Sequence, residues 1–290
     1  MQCKLCPRQC NIDRDKTTGY CGVNNTLKIA RAGLHYWEEP IISGTEGSGT
    51  IFFSGCNLKC VYCQNYDISS QAFGKEITVE RLSEIFKELE DKGANNINLV
   101  TPTHYVPQII EALKIYRPKI PIVYNTSGYD SVSELKMLED YVDVYLTDLK
   151  YVDSELSKKY SKAPDYFDVA SKAILEMVRQ QPTNVYNDKG MLIKGVIVRH
   201  MVLPGCMKDS FKVLDWIKDN LGVDTIVSIM GQYTPYYKSV DYPEINRPIK
   251  PLEYKAVIAH FNSIGLNNGY SQDLSSSSKD YIPPFNLEGV

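Results

Sequence analysis

The sequence predicts an α/β fold in which a parallel sheet is built from repeated strand–helix units. After residue 48, six short apolar segments rich in β-branched residues alternate with segments of helical periodicity. Strands that are each followed by a helix pair in parallel through crossover connections. Residues 193–198 lack polar alternation, which indicates a sheet buried on both faces. The architecture is therefore an open doubly wound sheet or a partial (β/α) barrel, and both place chemistry at the carboxyl ends of the strands.

The elements follow in order from local patterns. In the first helical segment Leu82, Ile85, Phe86 and Leu89 recur on one face, and Gly93 stands where the helix should end. The same reasoning predicts strands at 50–54, 96–101, 121–125, 142–147, 192–199 and 225–230. It predicts helices at 78–92, 106–116, 132–138, 167–179, 211–221 and 252–264.

The pattern divides the chain into three parts. Residues 1–48 are polar, show little periodicity and hold four cysteines, so we expect a metal-stapled N-terminal module. Residues 49–266 contain the strand–helix repeat. Residues 267–290, with four serines at 275–278 and two prolines at 283–284, are expected to form a surface tail.

Composition narrows the class of protein. The chain has 290 residues, 43% of them hydrophobic, and a formal net charge of −3, so no basic surplus predicts a nucleic-acid or membrane-surface partner. No apolar run approaches the roughly 18 residues of a membrane span. The first ten residues lack the apolar core of a signal peptide. We therefore expect a cytoplasmic protein.

Eight cysteines carry most of the chemical information. They fall into a group of four, a group of three and the single Cys206. In a long chain without a signal peptide, such grouping favours metal binding over disulfides.

The group of three, Cys56, Cys60 and Cys63, directly follows the first predicted strand with C-x3-C-x2-C spacing. Three thiolates can hold three irons of a [4Fe–4S] cluster and leave the fourth iron without a protein ligand. An open metal position is where a substrate or cofactor binds. The alternatives are a zinc site completed by a distant histidine and three buried cysteines without a metal.

At this loop the sequence resembles the radical S-adenosylmethionine (SAM) superfamily, whose signature is C-x3-C-x-aromatic-C with Tyr62 as the aromatic residue. The longer runs 47–56 and 62–65 resemble the PflX-type group, which is homologous to pyruvate formate-lyase activating enzymes. The resemblance covers nearly the whole chain and implies a partial (β/α)6 barrel of the radical SAM type. It implies an oxidoreductase-type enzyme in which a reduced [4Fe–4S] cluster cleaves SAM to a 5′-deoxyadenosyl radical that abstracts hydrogen from a substrate. A protein or peptide glycine is the substrate by analogy, and a flavodoxin or ferredoxin is the reductant.

The resemblance also implies which strand ends hold SAM. Asp148 and Lys150 match a D-x-K pattern, and Arg199 begins an R-x4-P-G match. After the second strand, the glycine-rich segment of relatives is absent, and Thr-Pro-Thr stands in its place at 101–103. The full set implied to contact the cofactor is Tyr62, Thr101, Thr103, Asn125, Ser127, Asp148, Lys150, Arg199 and Gln232.

These residues also have plainer interpretations. Asp148 and Lys150 could form an ordinary ion pair, and Asn125 and Ser127 could simply make a turn. Arg199 ends an otherwise apolar strand and therefore needs a polar partner.

The four N-terminal cysteines supply a complete set of ligands. Structural zinc and a fully ligated [4Fe–4S] cluster both accept four thiolates, and spacing does not separate them. The related group carries the same C-x-x-C-P-R-x-C and G-Y-C-G segments, and iron–sulfur is the favoured interpretation. The proposed ligands are Cys3, Cys6, Cys10 and Cys21.

Several further residues are candidates without a clear role. His104, His200 and Cys206 lie near predicted strand ends, where both functional and core positions are possible. The segment 35–40, which holds Glu38 and Glu39, is interpreted as a loop contact, with substrate contact as the alternative. For the whole protein the alternatives are a non-catalytic two-cluster electron-transfer or scaffold protein and a zinc-stapled interaction module.

Overall fold

One continuous sheet organises the molecule. The computed structural model describes residues 2–271 and 283–290. The strands are β1 (Leu27–His35), β2 (Ser48–Phe53), β3 (Lys75–Ile77), β4 (Ile97–Val100), β5 (Ile122–Thr126), β6 (Val144–Asp148), β7 (Val185–Tyr186), β8 (Leu192–Met201), β9 (Ile226–Met230) and β10 (Gly269–Ser271). The helices are α1 (Pro40–Ser43), α2 (Tyr66–Ser69), α3 (Val79–Asp91), α4 (Val106–Ile115), α5 (Val132–Met137), α6 (Ser154–Ser161), α7 (Tyr166–Gln180), α8 (Met207–Leu221) and α9 (Pro251–Ser263). Short 3-10 turns lie at Thr103–Tyr105 and Tyr237–Asp241.

The predicted parallel α/β fold is confirmed. The strands lie in the order β10-β9-β8-β6-β5-β4-β2-β1-β3, with β7 added beside β8. Every neighbouring pair from β2 to β10 along this order is parallel. All six predicted strands occur, shifted by a few residues, and the helices match similarly; the predicted helix 78–92 is α3, with Thr78 as its N-cap.

The first part of the chain differs from its prediction. β1 pairs antiparallel with β2 and with β3, so residues 27–35 belong to the sheet rather than to a separate module. The reason is burial: Ile29 and Ala30 are fully enclosed and Ala32 nearly so. The cysteine-rich segment outside the sheet therefore ends before Leu27.

The C-terminal part also differs from a simple surface tail. β10 pairs in parallel with β9, and a Cβ on Gly269 would lie 1.9 Å from the Val227 carbonyl oxygen, so only glycine permits this approach. Farther on, Leu287 N–H donates to Ala30 O at 3.0 Å and Ala32 N–H donates to Glu288 O at 2.8 Å. The predicted serine run at 275–278 lies outside the described residues.

Side chains alternate between the two faces of the sheet, and one face positions the site. On this inner face Val123, Leu146 and Ile197 form an apolar cluster with Ile42 of α1. Two residues farther along the same strands, Asn125, Asp148 and Arg199 follow on the same face. An apolar layer at the amino ends is thus followed by a polar layer at the carboxyl ends.

A larger core lies on the other face, where the helices pack. It joins side chains such as Phe86, Ile109 and Ile174 to the sheet. Among the described residues, no helix has both the length and the apolar character needed to cross a membrane.

Candidate active site at the carboxyl ends of the parallel strands

The three-cysteine loop leaves the end of β2 in a sharp turn. Gly55 has φ +91°, and a Cβ there would lie 2.9 Å from the Cys21 carbonyl oxygen, so glycine is required. Cys63 N–H donates to Cys60 O at 3.2 Å and closes the loop. As a result Cys56, Cys60 and Cys63 all line one cavity of about 160 Å³.

The strand ends complete the wall of this cavity. A second cavity of about 210 Å³ shares Cys60, Cys63, Asp148, Lys150 and Arg199 with the first. The two cavities therefore adjoin at the carboxyl ends of the strands and form one candidate site. Together they bring the following predicted residues to one place: Tyr62, Thr101, Asn125, Ser127, Asp148, Lys150, Arg199 and Gln232.

Three charged side chains meet between the two cavities. Asp148 lies 2.5 Å from Lys150 Nζ and 2.9 Å from Arg199 Nε. Burial alone would raise the pKa of Asp148, but the neighbouring guanidinium and ammonium lower it instead. The carboxylate is therefore ionised and holds both cations in place inside the site.

Arg199 also contacts a residue whose role the sequence did not reveal. Its Nη1 lies 3.2 Å from Glu38 Oε2, and its Nη2 donates to Asn125 Oδ1 at 2.6 Å. Glu38 comes from the loop between β1 and β2 and enters the inner face from its amino end. The sequence feature that could have indicated this role is a pair of adjacent glutamates before a proline, in a segment that leads to a buried strand. Glu38, Asn125, Asp148 and Arg199 therefore form one polar cluster.

Thr103 does not join the site. Its hydroxyl donates to Asp130 Oδ1 at 2.7 Å, and it is not among the described residues that line either cavity. Thr103 begins the 3-10 turn at Thr103–Tyr105, where its hydroxyl contacts Asp130 instead of the cavities.

The histidines and Cys206 have structural surroundings. His104 Nε2 is 2.8 Å from Ser54 O, and His200 lies between Leu149 O and Ser210 Oγ. Burial lowers the pKa of both histidines to about 4, so both are neutral at neutral pH. Cys206 is half-buried and is not among the described residues that line the cavities.

The chemistry of the loop fits an iron–sulfur cluster. Each thiol has a hydrogen-bond partner that can stabilise a thiolate: Leu58 N for Cys56, Ser161 Oγ for Cys60 and Ser69 Oγ for Cys63. Burial raises the pKa of Cys63 to about 12, so a thiolate there needs a cationic partner such as iron. No group of three or more His, Cys, Asp or Glu in the described chain is arranged around one metal ion. A cluster is larger than an ion, and three thiols around a cavity suit the cluster.

Two of the four N-terminal cysteines, Cys10 and Cys21, lie near each other. A Cβ on Gly19 would lie 3.3 Å from Cys21 Sγ and 3.7 Å from Cys10 Sγ. Burial raises the pKa of Cys6 to about 12, and the charges of Cys21 and Cys10 add to this effect.

This cysteine-rich segment holds the three-cysteine loop at three consecutive residues. Cys56 N–H donates to Cys21 O at 3.1 Å. Arg8 Nε donates to Asn57 O at 2.7 Å, and the Tyr20 hydroxyl lies 3.5 Å from Leu58 O. The cysteine-rich segment is therefore joined to the backbone of the three-cysteine loop by these contacts.

Comparison with known proteins agrees with this geometry. Residues 50–214 match the model of the Radical SAM superfamily. An uncharacterized protein of Methanocaldococcus jannaschii is 34% identical over 257 residues, covering 84% of this chain and 70% of its own. The pyruvate formate-lyase-activating enzyme of Clostridium pasteurianum is 30% identical over 125 residues, covering 40% of this chain and 50% of its own.

A solved structure shows a related fold. Streptococcus suis SuiB bound to its precursor peptide SuiA has a TM-score of 0.51 and 15% identity, covering 75% of this chain. The chain spans 46% of the length of SuiB, so only the fold is compared. Together with the family match and the activating-enzyme homology, the three-cysteine loop leads to one conclusion: this chain belongs to the radical SAM superfamily.

Proposed function

We propose that the protein is a radical SAM enzyme of the activating-enzyme type, which removes a hydrogen atom from a substrate. The observation that carries this proposal is the shared cavity: three thiols of one loop face the polar end of β5 and the charged ends of β6 and β8. When bound, a reduced [4Fe–4S] cluster supplies the electron that cleaves SAM to methionine and a 5′-deoxyadenosyl radical.

The residues of the chain then have distinct tasks. Cys56, Cys60 and Cys63 hold three irons of the cluster. Burial raises the pKa of Cys60, and the ammonium of Lys150 partly offsets this and favours the thiolate. Lys150 thereby supports a cluster ligand while it pairs with Asp148.

The remaining cavity residues orient SAM. Arg199 offers a rigid fork of donors, which suits a carboxylate or ribose hydroxyl. Thr101, Asn125 and Ser127 supply polar groups from neighbouring strand ends, and Tyr62 and Gln232 line the second cavity. Because Asp148 and Arg199 are largely buried, the site also limits the access of water to the reacting atoms.

The substrate we propose is a protein or peptide, with glycine as the hydrogen donor. The activating-enzyme relative supports this class. A flavodoxin or ferredoxin is the proposed electron donor, and the cytoplasm is the proposed location.

We further propose a second metal centre at Cys3, Cys6, Cys10 and Cys21, in a cysteine-rich unit that precedes the barrel. Their closeness and mutual influence on pKa support it. A [4Fe–4S] cluster is preferred to zinc. Metal analysis of the anaerobically purified protein tests this, because two [4Fe–4S] clusters contain about eight irons per chain. About four irons together with one zinc per chain would reject the second cluster.

The main proposal is tested by anaerobic reconstitution and reduction with SAM present. We expect 5′-deoxyadenosine by mass spectrometry, together with a change in the EPR spectrum of the cluster on adding SAM. A Cys60→Ala variant should lose both signals. Cys206→Ala is the matched control, because its thiol lies outside the site, and it should keep both.

The outcomes separate the alternatives. An intact three-cysteine cluster whose spectrum ignores SAM would overturn the enzyme proposal and leave electron transfer. A spectrum that responds to SAM without product formation would show that cleavage requires the substrate, and added candidate peptides would then be screened for product.

A further inference from the structure

The loop between β1 and β2 closes the amino end of the inner face. Ile42 of α1 packs into the apolar cluster there, and Asn96 Nδ2 donates to Ile42 O at 2.7 Å. This loop holds three glutamates: Glu38, the buried Glu39 beside it, and Glu46 near its other end. Glu38 and Glu46 differ sharply in exposure. The side chain of Glu38 is 12% exposed, whereas that of Glu46 is 39% exposed. Glu38 is thus drawn into the barrel, and Glu46 stays near its surface.

The carboxylate of Glu38 satisfies three donors at once. Its Oε1 accepts from Asn98 Nδ2 and from Asn125 Nδ2, both at 3.1 Å. Its Oε2 lies 3.2 Å from Arg199 Nη1. Because Arg199 also donates to Asn125 Oδ1, the side chains of Glu38, Asn125 and Arg199 form a closed ring of three contacts.

The ring fixes the two residues that face the cavity. Both polar ends of the Asn125 amide are occupied within it, which sets the orientation of the amide. Arg199 has Nη1 held by Glu38, Nη2 by Asn125 and Nε by Asp148. A guanidinium held on three sides keeps one plane and one position relative to the cavity.

We propose that Glu38 is a positioning residue for SAM binding, which acts by fixing Arg199 and Asn125 from beneath. This inference rests on the proposed function of the site. Glu38 lies outside the region 50–214 that matches the superfamily model.

Glutamine cannot replace Glu38 in the ring. A carboxylate offers acceptors to all three donors, whereas glutamine has one acceptor oxygen and an NH₂ group that only donates. Glu38→Gln therefore turns a donor towards Arg199 or towards the two asparagines. The guanidinium then lacks an acceptor at Nη1, and we expect its geometry relative to the cavity to change.

The test is a titration of the reduced, reconstituted protein with SAM. Binding is measured from the SAM-induced change in the EPR spectrum. Loss of a residue that orients a metal ligand typically weakens metal binding by about tenfold or more. We expect Glu38→Gln, which releases Arg199 and Asn125 in the same way, to weaken SAM binding by about tenfold. Glu46→Gln, the same change in the same loop, should bind SAM as the unchanged protein does. Wild-type affinity in Glu38→Gln would overturn the proposal.

A double-mutant cycle separates positioning from mere support of the fold. If Glu38 acts through Arg199, then Glu38→Gln should have little further effect on SAM affinity in an Arg199→Gln background. Additive losses would overturn the proposal. Equal losses of iron content and SAM affinity in Glu38→Gln would also overturn it, because the role would then be structural.

The failure of this inference can be distinguished from the failure of the proposed function. If the unchanged protein shows no SAM-induced spectral change, the proposed function fails before any variant is compared. If the unchanged protein responds to SAM, but Glu38→Gln keeps wild-type affinity or the losses in the double mutant are additive, only the role of Glu38 fails.

Discussion

At the scale of single residues, Asp130 explains why Thr103 is absent from the site. This buried carboxylate accepts from Thr103 at 2.7 Å, from Tyr124 at 3.0 Å and from Thr126 at 2.5 Å. Burial raises its pKa, and the three hydroxyl donors oppose that effect. The group links the ends of β4 and β5 and therefore stabilises the fold near the cavity.

Thr103→Val should consequently destabilise the protein. Removing one donor from a buried carboxylate costs about 1–3 kcal/mol, and we expect the free energy of unfolding to fall by that amount. The measurement is anaerobic urea unfolding, with the exposed Thr183→Val as the control. A variant of unchanged stability whose SAM affinity falls would instead place Thr103 in contact with the cofactor.

The buried histidines predict how stability depends on pH. Burial lowers the pKa of His200 to about 4 in the folded protein, from 6.5 in the unfolded reference. The unfolded state therefore binds the extra proton first, and stability present above pH 6.5 is lost as the pH falls towards 4. The slope is about 1.4 kcal/mol per pH unit for one such group.

His200→Gln should remove this contribution. Urea unfolding at several pH values between neutral and mildly acidic should show a shallower loss of stability in the variant than in the unchanged protein. Equal slopes would mean that His200 is protonated without cost in the folded state.

At the scale of elements, the cysteine-rich segment and the three-cysteine loop depend on each other. Arg8 joins them: its Nε donates to Asn57 O, its Nη1 donates to Lys162 O at 2.7 Å, and it lies 4.1 Å from the centre of the Tyr20 ring. Lysine keeps the charge but loses the fork that makes these contacts together.

Arg8→Lys should therefore loosen the loop that holds the cluster. We expect faster release of iron to a chelator and a loss of about 1–2 kcal/mol of stability. Arg117→Lys is the matched control, since Arg117 also bonds a backbone carbonyl and pairs with Asp143, but far from the loop in sequence. Equal release rates in both variants would show that the contact of Arg8 is dispensable.

The elements differ in how well the sequence reveals them. α3 was predictable because its apolar positions recur on one face and Thr78 caps it. β1 was not, because its pairing with β2 is interrupted by a register shift between Ile29 and Arg31, and its residues do not alternate cleanly. The strand ends were therefore predictable as a site, whereas the entry of Glu38 from the β1–β2 loop was not. Long-range contacts of this kind leave no periodic signal in a sequence.

At the scale of the whole molecule, the last residues protect the edge of the sheet. β1 pairs with β3 only at Leu27–Ile29, so its later residues form an open edge that residues 287 and 288 cover. Phe285 packs edge-to-face on Phe52 with ring centres 5.5 Å apart, and Glu288 pairs with Arg31 at 3.0 Å.

Truncation after residue 282 should expose this edge. We expect a loss of about 2–4 kcal/mol in the free energy of unfolding from the hydrogen bonds and the buried ring. An uncovered strand edge also favours self-association, which size-exclusion chromatography would detect. Glu288→Gln is the control, because the exposed ion pair alone should cost less than about 1 kcal/mol. A truncated protein as stable and monomeric as the control would contradict this role.

The contact between Glu38 and Arg199 also has a consequence for folding while the chain is being synthesised. The two residues are 161 positions apart, so a nascent chain holds Glu38 long before its counter-ion exists. A carboxylate buried without a cation is strongly unfavourable. We therefore expect the β1–β2 loop to stay in water until β8 has been synthesised and has joined the sheet. On this argument the amino end of the inner face closes late, and a chain interrupted before β8 has no Arg199 to pair with Glu38.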